Sequence, residues 1–461
     1  MASPVNISDE PLTPAGRLFL QPELKTIIHC ALGFKYHMDI DAIKSTIKSS
    51  LMINHPRFCS LLVHDKNGFE HWRRTEIDID RHIILVDETS VANSGDDVEK
   101  IVNDYIADLS VSTPLGSDKP LWEIHIMMEK KCVIFRIHHA LGDGISLMSM
   151  LLANCRKAED PTAVPTLMTG GRRDWREEKD WRGVLMGVLK MVLFSLVFCL
   201  EFVLKSLWIR DRKTVISGGD GVELWPKKLA TAKFLLEDMK TVKKAVANAT
   251  INDVVFGVIS AGISTYLDHR SPKSLKEGQQ LTGISMVNLR EKSGLQDLKK
   301  MMESNLTCRW GNKFGILLLP TYYYHKIEPL EHVKRSKAMI DRKKKSLEAH
   351  FSYQLVDLAM SWLGPKVASL LNYKIMCNTT FTISNVVGPK EEITIAGNPI
   401  TFIRVSTSSL PQALVMHAVS YAGKVEMQIV VAKDIIPDPE FLAKCFQDSL
   451  LEMKNAALAN L

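Results

Sequence analysis

Two adjacent histidines followed by an aspartate form the stretch of this sequence that is best suited to proton transfer. The stretch reads His138-His139-Ala140-Leu141-Gly142-Asp143-Gly144. A neutral imidazole accepts and returns a proton near neutral pH, as a general base must. A carboxylate five or four residues further on can fix the turn or cap a helix. We therefore take this stretch as the candidate reaction centre.

The flanking sequence predicts that these residues lie on a strand-to-helix turn. Residues 122–126 alternate apolar and polar, and residues 132–137 form a second β-type run, with charged residues 129–131 between them. This pattern indicates a hairpin that delivers the histidines. Residues 145–153 are apolar and long enough for a helix, and Asp143 stands where an N-cap carboxylate would bind free backbone amides.

Strand alternation separates the two histidines, because successive side chains point to opposite faces. His139 continues the apolar face that ends at Ile137, whereas His138 continues the face that carries Arg136. We choose His139 as the base, since apolar surroundings lower the pKa of an imidazole and keep it neutral. A histidine pair packed at a strand end, with Asp143 only a cap, is the alternative that the spacing leaves open.

The composition restricts the class of protein. The chain has 461 residues, of which 46% are hydrophobic and 24% charged, enough for two or three globular domains. The net charge of +6 is small for this length and does not indicate nucleic-acid binding, although anionic cofactors or lipid head groups would not be repelled. The eight cysteines form no Cys-x-x-Cys pair, which favours reduced thiols and no metal site.

Several signals are missing from the sequence. The first residues have neither the basic start nor the apolar core of a secretory signal, so we expect a chain facing the cytosol. The sequence contains no Gly-x-x-x-x-Gly-Lys-Ser/Thr, Gly-x-Gly-x-x-Gly or Gly-x-Ser-x-Gly pattern. Interpretations as an ATP-binding, NAD-binding or serine-hydrolase protein therefore lose support.

The predicted elements form an α/β mixture in two blocks. Residues 1–160 combine helical spacing at 40–53 and 98–109 with strand-like runs at 58–63 and 77–80. Residues 161–221 hold a charged linker and a hydrophobic helix, and residues 222–461 form the second block. In that block, strands are predicted at 281–287, 311–319, 381–387 and 425–431, and helices at 250–267, at 331–351 and from residue 439.

The most hydrophobic part of the chain, residues 183–204, is long enough to cross a bilayer. Its charges, Lys190 and Glu201, fall almost on one azimuth of a helix, and Lys205 follows Glu201 by one turn. Trp181 and Trp208 bracket it, as interface aromatics would. Three interpretations remain open: a membrane-embedded or interfacial helix, a lid over a lipid substrate, and a buried core helix.

The ordered motifs of the chain resemble those of a known family. The sequence His-His-x-x-x-Asp-Gly resembles the active-site motif of the CoA-dependent acyltransferase superfamily, and further stretches resemble the plant branch of the wax ester synthase/diacylglycerol acyltransferase family. These stretches are Pro11-Leu12-Thr13-Pro14, Asn54-His55-Pro56-Arg57-Phe58, Pro120-Leu121-Trp122, Asn252-Asp253, Asn288-Leu289-Arg290, Gly311-Asn312-Lys313-Phe314-Gly315 and Ser384-Asn385-Val386-Val387-Gly388-Pro389. The Asp-Phe-Gly-Trp-Gly signature of plant acyltransferases that act on phenolics and alkaloids is absent.

The resemblance implies two chloramphenicol-acetyltransferase-like lobes with a central tunnel between them. It also implies that His139 is the general base, with His138 in support, and that Ser384 donates to the tetrahedral oxyanion. Asp143 is expected to form an ion pair that fixes the loop, for which Arg290 is the candidate partner. Gly144, Asn252 and Asp253 are expected to hold the local backbone, although Asn252 and Asp253 also suit a plain helix cap.

The resemblance further implies an acyl-CoA-dependent O-acyltransferase with no bound cofactor or metal. The expected partners are long-chain acyl-CoA as co-substrate, a fatty alcohol or diacylglycerol as acceptor, and membrane lipid. We expect the endoplasmic reticulum membrane as location, with the plasma membrane as the alternative. A different acceptor, such as a sterol, a phenolic or an amine, and a non-catalytic lipid-binding protein of the same fold are the competing hypotheses.

Overall fold

The strands in the described part of the chain form three sheets of three, six and seven strands. The computed structural model describes residues 9–88, 97–112, 114–166, 181–272, 274–290, 310–408 and 410–460. In chain order the strands are β1 (Glu10–Pro11), β2 (Ile27–Phe34), β3 (Ser60–His64), β4 (Glu70–Arg74), β5 (Ile83–Leu85), β6 (Trp122–Met127), β7 (Cys132–His138), β8 (Arg156–Lys157), β9 (Lys227–Leu235), β10 (Gln280–Asn288), β11 (Phe314–Tyr322), β12 (Phe381–Val387), β13 (Ile393–Ile395), β14 (Asn398–Thr407), β15 (Leu414–Tyr421) and β16 (Lys424–Ala432).

Helices cover the sheets and connect them. In chain order they are α1 (Pro14–Leu18), α2 (Ile40–Lys48), α3 (Leu51–Asn54), α4 (Val98–Ser112), α5 (Gly144–Ala153), α6 (Trp181–Leu207), α7 (Leu236–Ala245), α8 (Ile251–Arg270), α9 (Pro329–Lys344), α10 (Glu348–Trp362), α11 (Gly364–Cys377) and α12 (Pro439–Ala459). The predicted α/β mixture is therefore present.

The first lobe is built on the seven-stranded sheet, whose order is β5-β6-β7-β2-β14-β13-β8. Two of these strands, β13 and β14, come from the C-terminal half of the chain. β2 pairs with β7 along one edge, and β14 pairs antiparallel with the other edge of β2, which would otherwise be open. The boundary predicted at residue 222 therefore does not separate the strands of the two sheets. The free edge of β2 is paired by the hairpin β13–β14, which lies far along the chain, and not by a strand next to it in sequence.

The second lobe is built on the six-stranded sheet, whose order is β11-β10-β12-β15-β16-β9. The central strand β12 runs parallel to both β10 and β15. The long helices α8, α9 and α12 bury apolar side chains against this sheet, including Val258, Val333 and Phe446. Helix α8 begins at a capping box formed by Thr250 and Asp253.

The predicted hairpin and turn hold the two histidines. β6 and β7 pair antiparallel, and β7 ends at His138. A short 3₁₀ turn, His139–Leu141, follows, and α5 then begins with Asp143 as its N-cap. Strand alternation stops at His138, so the turn sets the direction of the His139 side chain.

Helix α6 carries the most hydrophobic stretch of the chain. Its 27 residues span about 40 Å. The described side chains in its N-terminal half are exposed, Leu189 and Leu193 at 54% and 57% among them, which contradicts the interpretation as a buried core helix. Only its C-terminal half packs on the protein. Most of the predicted charged linker, residues 167–180, lies outside the described residues.

Three sequence-based element predictions were wrong. The helix predicted at 40–53 is divided between α2 and α3. Residues 77–80 form no strand, because the Asp78 side chain accepts a hydrogen bond from the amide of Asp80 and starts the 3₁₀ turn Ile79–Arg81. The single helix predicted at 331–351 is divided between α9 and α10. The Ser346 hydroxyl closes the end of α9 by donating to the carbonyl of Lys343.

Candidate active site

His139 lies at the junction of the two lobes and is held there by Asn312. The Asn312 amide nitrogen donates to the carbonyl oxygen of His139 at 2.9 Å. That contact fixes the orientation of the amide, because a carbonyl can only accept. The Asn312 oxygen therefore faces Nδ1 of His139 at 3.0 Å, and Nδ1 carries the imidazole proton. Nε2 is left unprotonated and forms no hydrogen bond with a described residue.

Aromatic rings enclose His139. The imidazole stacks on the Phe19 ring with centroids 4.0 Å apart, and the Phe314 ring lies at 6.2 Å in an edge arrangement. Burial lowers the pKa of His139, so the neutral form is favoured. The side chain is thus neutral, oriented, and open at Nε2, as a proton acceptor requires.

His138 has a different setting from its neighbour. Its Nδ1 accepts a hydrogen bond from the amide of Ala140 at 3.2 Å and caps the 3₁₀ turn. The side chain is 1% exposed, and burial lowers its pKa to about 3. These contacts give His138 a structural task in the turn that carries His139.

Asp143 and Arg290 form a buried ion pair across the two lobes. Arg290 Nη1 donates to Asp143 Oδ2 at 2.8 Å, so the contact that the resemblance implied is present. The same carboxylate oxygen accepts from the backbone amide of Lys313 at 3.1 Å. Oδ1 accepts from the amide of Ser146 and caps α5.

The ion pair forms hydrogen bonds with the backbone on both sides of Asn312. Arg290 donates to the carbonyl oxygen of Gly311, and Asp143 accepts from the amide of Lys313. Gly311 has a φ of +110°, where a side chain would be strained, and a Cβ atom there would lie 2.5 Å from Arg57. The pair therefore positions the residue that orients His139.

Ser384 lies in the middle of β12, on the strand face that it shares with Val386. Val386 approaches Gly144, at the start of α5, closely enough that a Cβ on the glycine would be 3.6 Å from it. Ser384 is half-buried and its hydroxyl forms no hydrogen bond with a described residue. In the parallel ladder it pairs with His417, whose pKa is lowered to about 4 by burial and by the neighbouring His139.

The remaining predicted residues lie at the start of α8. Asp253 is fully buried in the capping box, with its carboxylate bound to the amide and hydroxyl of Thr250. Asn252 accepts a hydrogen bond from Asn385, the residue after Ser384, at 2.6 Å. Asp253 thus holds the start of α8, and Asn252 contacts β12. Neither residue is among the hydrogen-bond partners of His139 in the described part of the chain.

Comparison with known proteins identifies the family. Residues 35–214 match the wax ester synthase/diacylglycerol acyltransferase catalytic domain, and residues 310–454 match the WS/DGAT C-terminal domain. The chain is 37% identical to wax ester synthase/diacylglycerol acyltransferase 11 of Arabidopsis thaliana, over 98% of this chain and 96% of that one. It is 36% identical to number 4 of the same plant, over 97% and 90%.

The chain belongs to the wax ester synthase/diacylglycerol acyltransferase family. This confirms the family and the acyltransferase class predicted from the sequence. The solved wax ester synthase/diacylglycerol acyltransferase of Marinobacter aquaeolei VT8 superposes with a TM-score of 0.60 at 16% identity, covering 97% of this chain and 99% of that one. A condensation domain of the CDA synthetase superposes with a TM-score of 0.56 at 13% identity, covering 96% and 97%. The predicted two-lobed fold is therefore confirmed.

Two cavities flank the motif of this wax ester synthase/diacylglycerol acyltransferase family member. Cavity A, of about 120 Å³, is almost wholly apolar and lies beside β7 and α5; its lining includes Ile28, Phe135, Ile137, Gly144, Val386 and Val405. Cavity B, of about 140 Å³, is more polar and lies beside Asn312; its lining includes Thr13, Lys313, Phe314, Tyr353, Val356 and Asn372. Among the described residues, no cluster of three His, Cys, Asp or Glu side chains is arranged to hold a metal ion.

The sequence-based prediction did not assign roles to Asn312, Phe19 or His417. Asn312 and Phe19 contact His139 directly, and His417 shares the face of Ser384. Only Asn312 carried a signal, since it lies in one of the stretches that resemble the family. Phe19 and His417 are far from the motif in sequence and reach it only through the fold.

Proposed function

We propose that this protein transfers a long-chain acyl group from acyl-CoA to the hydroxyl group of a fatty alcohol or of diacylglycerol. The names of its relatives, wax ester synthase/diacylglycerol acyltransferase, support this pair of acceptors. The observation that carries the proposal is the unprotonated Nε2 of His139, which Asn312 fixes by bonding Nδ1 and the backbone carbonyl.

In the proposed reaction His139 is the catalytic base. Nε2 takes the proton of the acceptor hydroxyl while its oxygen forms a bond to the thioester carbonyl carbon. The resulting tetrahedral intermediate collapses, the carbon–sulfur bond breaks, and the imidazolium returns the proton to the CoA thiolate. The products are an ester and free CoA.

Ser384 is the proposed donor to the oxyanion of the tetrahedral intermediate. Its hydroxyl is free of hydrogen bonds to described residues and shares a strand face with Val386, which is packed near Gly144. Removal of one such donor in other enzymes costs about 3 kcal/mol of transition-state stabilisation. Asp143 and Arg290 act as positioning residues through Asn312.

Cavity A is the proposed site of the acyl chain. Its lining is aliphatic and aromatic, and Ile137 and Gly144 belong to the segments on either side of His139. An extended acyl chain gains from leaving water in such surroundings, at about 25 cal/mol for each Å² of apolar area buried. No cofactor beyond the co-substrate acyl-CoA enters this scheme.

We further propose that α6 anchors the protein in the endoplasmic reticulum membrane with both lobes in the cytosol. This helix has the length and hydrophobicity of a membrane segment, and its apolar side chains are exposed. Because it joins two lobes that pack against each other, we propose that it lies in the cytosolic interface of the bilayer instead of crossing it. A chain without residues 183–204 should leave microsomes in a carbonate wash, while the full chain should remain. Retention of the shortened chain would contradict the anchor.

A C-terminal tag should be protease-accessible in intact microsomes, and fluorescence microscopy would separate the endoplasmic reticulum from the plasma membrane.

The function is tested with microsomes that carry the full chain, labelled acyl-CoA, and either hexadecanol or diacylglycerol as acceptor. We expect labelled ester from at least one acceptor, and a decrease of about 10²- to 10⁴-fold for His139→Ala, as for other general bases. His64→Ala, at an exposed strand end, is the matched control and should retain the activity. Equal product from His139→Ala would overturn the mechanism, and no ester from either acceptor would overturn the proposed substrates.

A further inference from the structure

A third cavity links the hydrophobic helix α6 to the interior. Cavity C, of about 150 Å³, lies between the C-terminal turns of α6 and the helices α10 and α11; its lining includes Phe202, Val203, Leu207, Leu355, Leu371 and Ile375. The hydroxyl of Ser206, also in the lining, donates to the carbonyl of Phe202 at 2.8 Å. The walls of cavity C are therefore almost entirely apolar.

Cavities B and C share part of their walls. Val356 on α10 and Asn372 on α11 line both spaces. The Asn372 amide nitrogen donates to the carbonyl of Ala368 at 2.9 Å, which leaves its oxygen as the atom able to accept another hydrogen bond. Val356 and Asn372 thus stand at the boundary between an apolar space beside α6 and a polar one beside His139.

The polarity of the lining increases from cavity C to cavity B, toward the candidate base His139. Cavity C offers aliphatic and aromatic carbon, whereas cavity B adds the polar side chains of Thr13, Lys313 and Tyr353. Cavity B ends at Asn312 and Phe314, and both contact His139. This gradient fits an amphiphile that moves with its hydroxyl group ahead and its hydrocarbon chain behind.

Helix α6 connects the bilayer, from which such a molecule would come, with cavity C. Its N-terminal half presents exposed apolar side chains, and the same helix continues into the wall of cavity C. Between these parts, α6 is fixed to the second lobe, with Glu201 paired to the buried Lys343 at 3.5 Å and Phe202 against Phe351. A lipid beside α6 could therefore enter cavity C without crossing water.

We propose that the acceptor lipid reaches His139 laterally from the bilayer, along the C-terminal turns of α6, through cavity C and past Val356 into cavity B. The inference rests on the proposed function and adds the route by which the acceptor arrives. The acyl chain of acyl-CoA lies in cavity A. Val356 is the residue that controls passage of the long chain.

The first test compares acceptors of different length in microsomes. Val356→Trp fills the shared boundary, so we expect transfer to membrane-borne hexadecanol to fall at least tenfold relative to transfer to the short, water-soluble hexanol. Leu358→Trp, two residues further on α10 and 54% exposed, is the matched control and should leave the ratio unchanged. An unchanged ratio in Val356→Trp, whether both rates are retained or both fall alike, would overturn the route.

The second test does not depend on turnover or on a substituted boundary. A diazirine-bearing hexadecanol is placed in membranes that carry the full chain with His139→Ala, and the labelled peptides are mapped after irradiation. We expect adducts on the facing segments of α6, α10 and α11, which include Leu207, Leu355 and Leu371, and their loss with excess hexadecanol. Label confined to the exposed half of α6 would overturn the route. If the wild-type protein is active but the label stays on the exposed half of α6, the proposed function holds and only the route is wrong. If the label reaches cavity C but the wild-type protein has no activity, the route holds and the proposed function is wrong.

Discussion

His139 and Asn312 are joined by two hydrogen bonds of opposite sense. The asparagine donates to the histidine's backbone carbonyl at 2.9 Å and accepts from its ring nitrogen Nδ1 at 3.0 Å. Because the first bond fixes the orientation of the amide, the second fixes the imidazole tautomer. His139 belongs to the first lobe and Asn312 to the segment that leads into the second-lobe strand β11. The tautomer of the candidate base therefore depends on how the two lobes meet.

Asn312→Leu tests this dependence. The variant removes both hydrogen bonds, so the imidazole can rotate and can carry its proton on Nε2. We expect kcat to fall about 10- to 100-fold, less than for loss of the base itself, with KM changed less than about threefold. Steady-state kinetics with acyl-CoA and hexadecanol measure both constants. A change in KM alone would assign Asn312 to substrate binding.

The pH dependence of kcat/KM reports the pKa of His139. Burial lowers this pKa below the ordinary value of 6.5, so the base stays unprotonated and the rate is retained until the pH falls below that value. Asn312→Asp places a negative charge beside Nδ1, which raises the pKa and moves the acidic limb to higher pH. Profiles from pH 5 to 9 compare the two proteins. A wild-type inflection above pH 6.5 would contradict the buried, neutral base.

Ser384→Ala tests the proposed oxyanion donor. Loss of the hydroxyl should lower kcat about 10²- to 10³-fold, the range seen when such donors are removed elsewhere, while membrane levels of the protein remain normal. Ser384→Thr retains a hydroxyl and should keep most of the activity. The same labelled-ester assay measures both. Equal rates for Ser384→Ala and the wild type would remove Ser384 from the mechanism.

The buried pair of Asp143 and Arg290 should contribute to stability as well as to the site. Arg290→Met leaves the carboxylate without its cation, which costs about 3–5 kcal/mol of unfolding free energy at comparable buried pairs. The double variant with Asp143→Asn should lose less than the sum of the single losses.

Urea unfolding of the detergent-solubilised full chain, followed by tryptophan fluorescence, measures the effect of this pair. Lys240→Met breaks the exposed pair with Glu237 and should change the unfolding free energy by less than about 0.5 kcal/mol. Strict additivity of the Asp143 and Arg290 substitutions would show that the two side chains are not energetically coupled.

Much of the local structure around the site could be predicted from the sequence. Alternating polarity specified the hairpin β6–β7, and Asp143 marked the start of α5 because an N-cap carboxylate has a recognisable place before an apolar run. The ordered motifs identified the family and the pairing of Asp143 with Arg290. The split of the predicted helix at 331–351 was missed, since its break depends on a hydroxyl bond rather than on proline or glycine.

Residue type and spacing determined that His139 follows a strand, that Asp143 caps a helix, and that residues 183–204 are too apolar for an ordinary surface. Only the tertiary structure decided which atom of His139 is free, because Asn312 lies 173 residues away and its amide is oriented by the fold. It also decided that β14 completes the first lobe and that α6 ends in the wall of cavity C. The physical reason is that alternation and capping act between neighbours in sequence, whereas tautomers, strand edges and cavities are set by groups that meet across the chain.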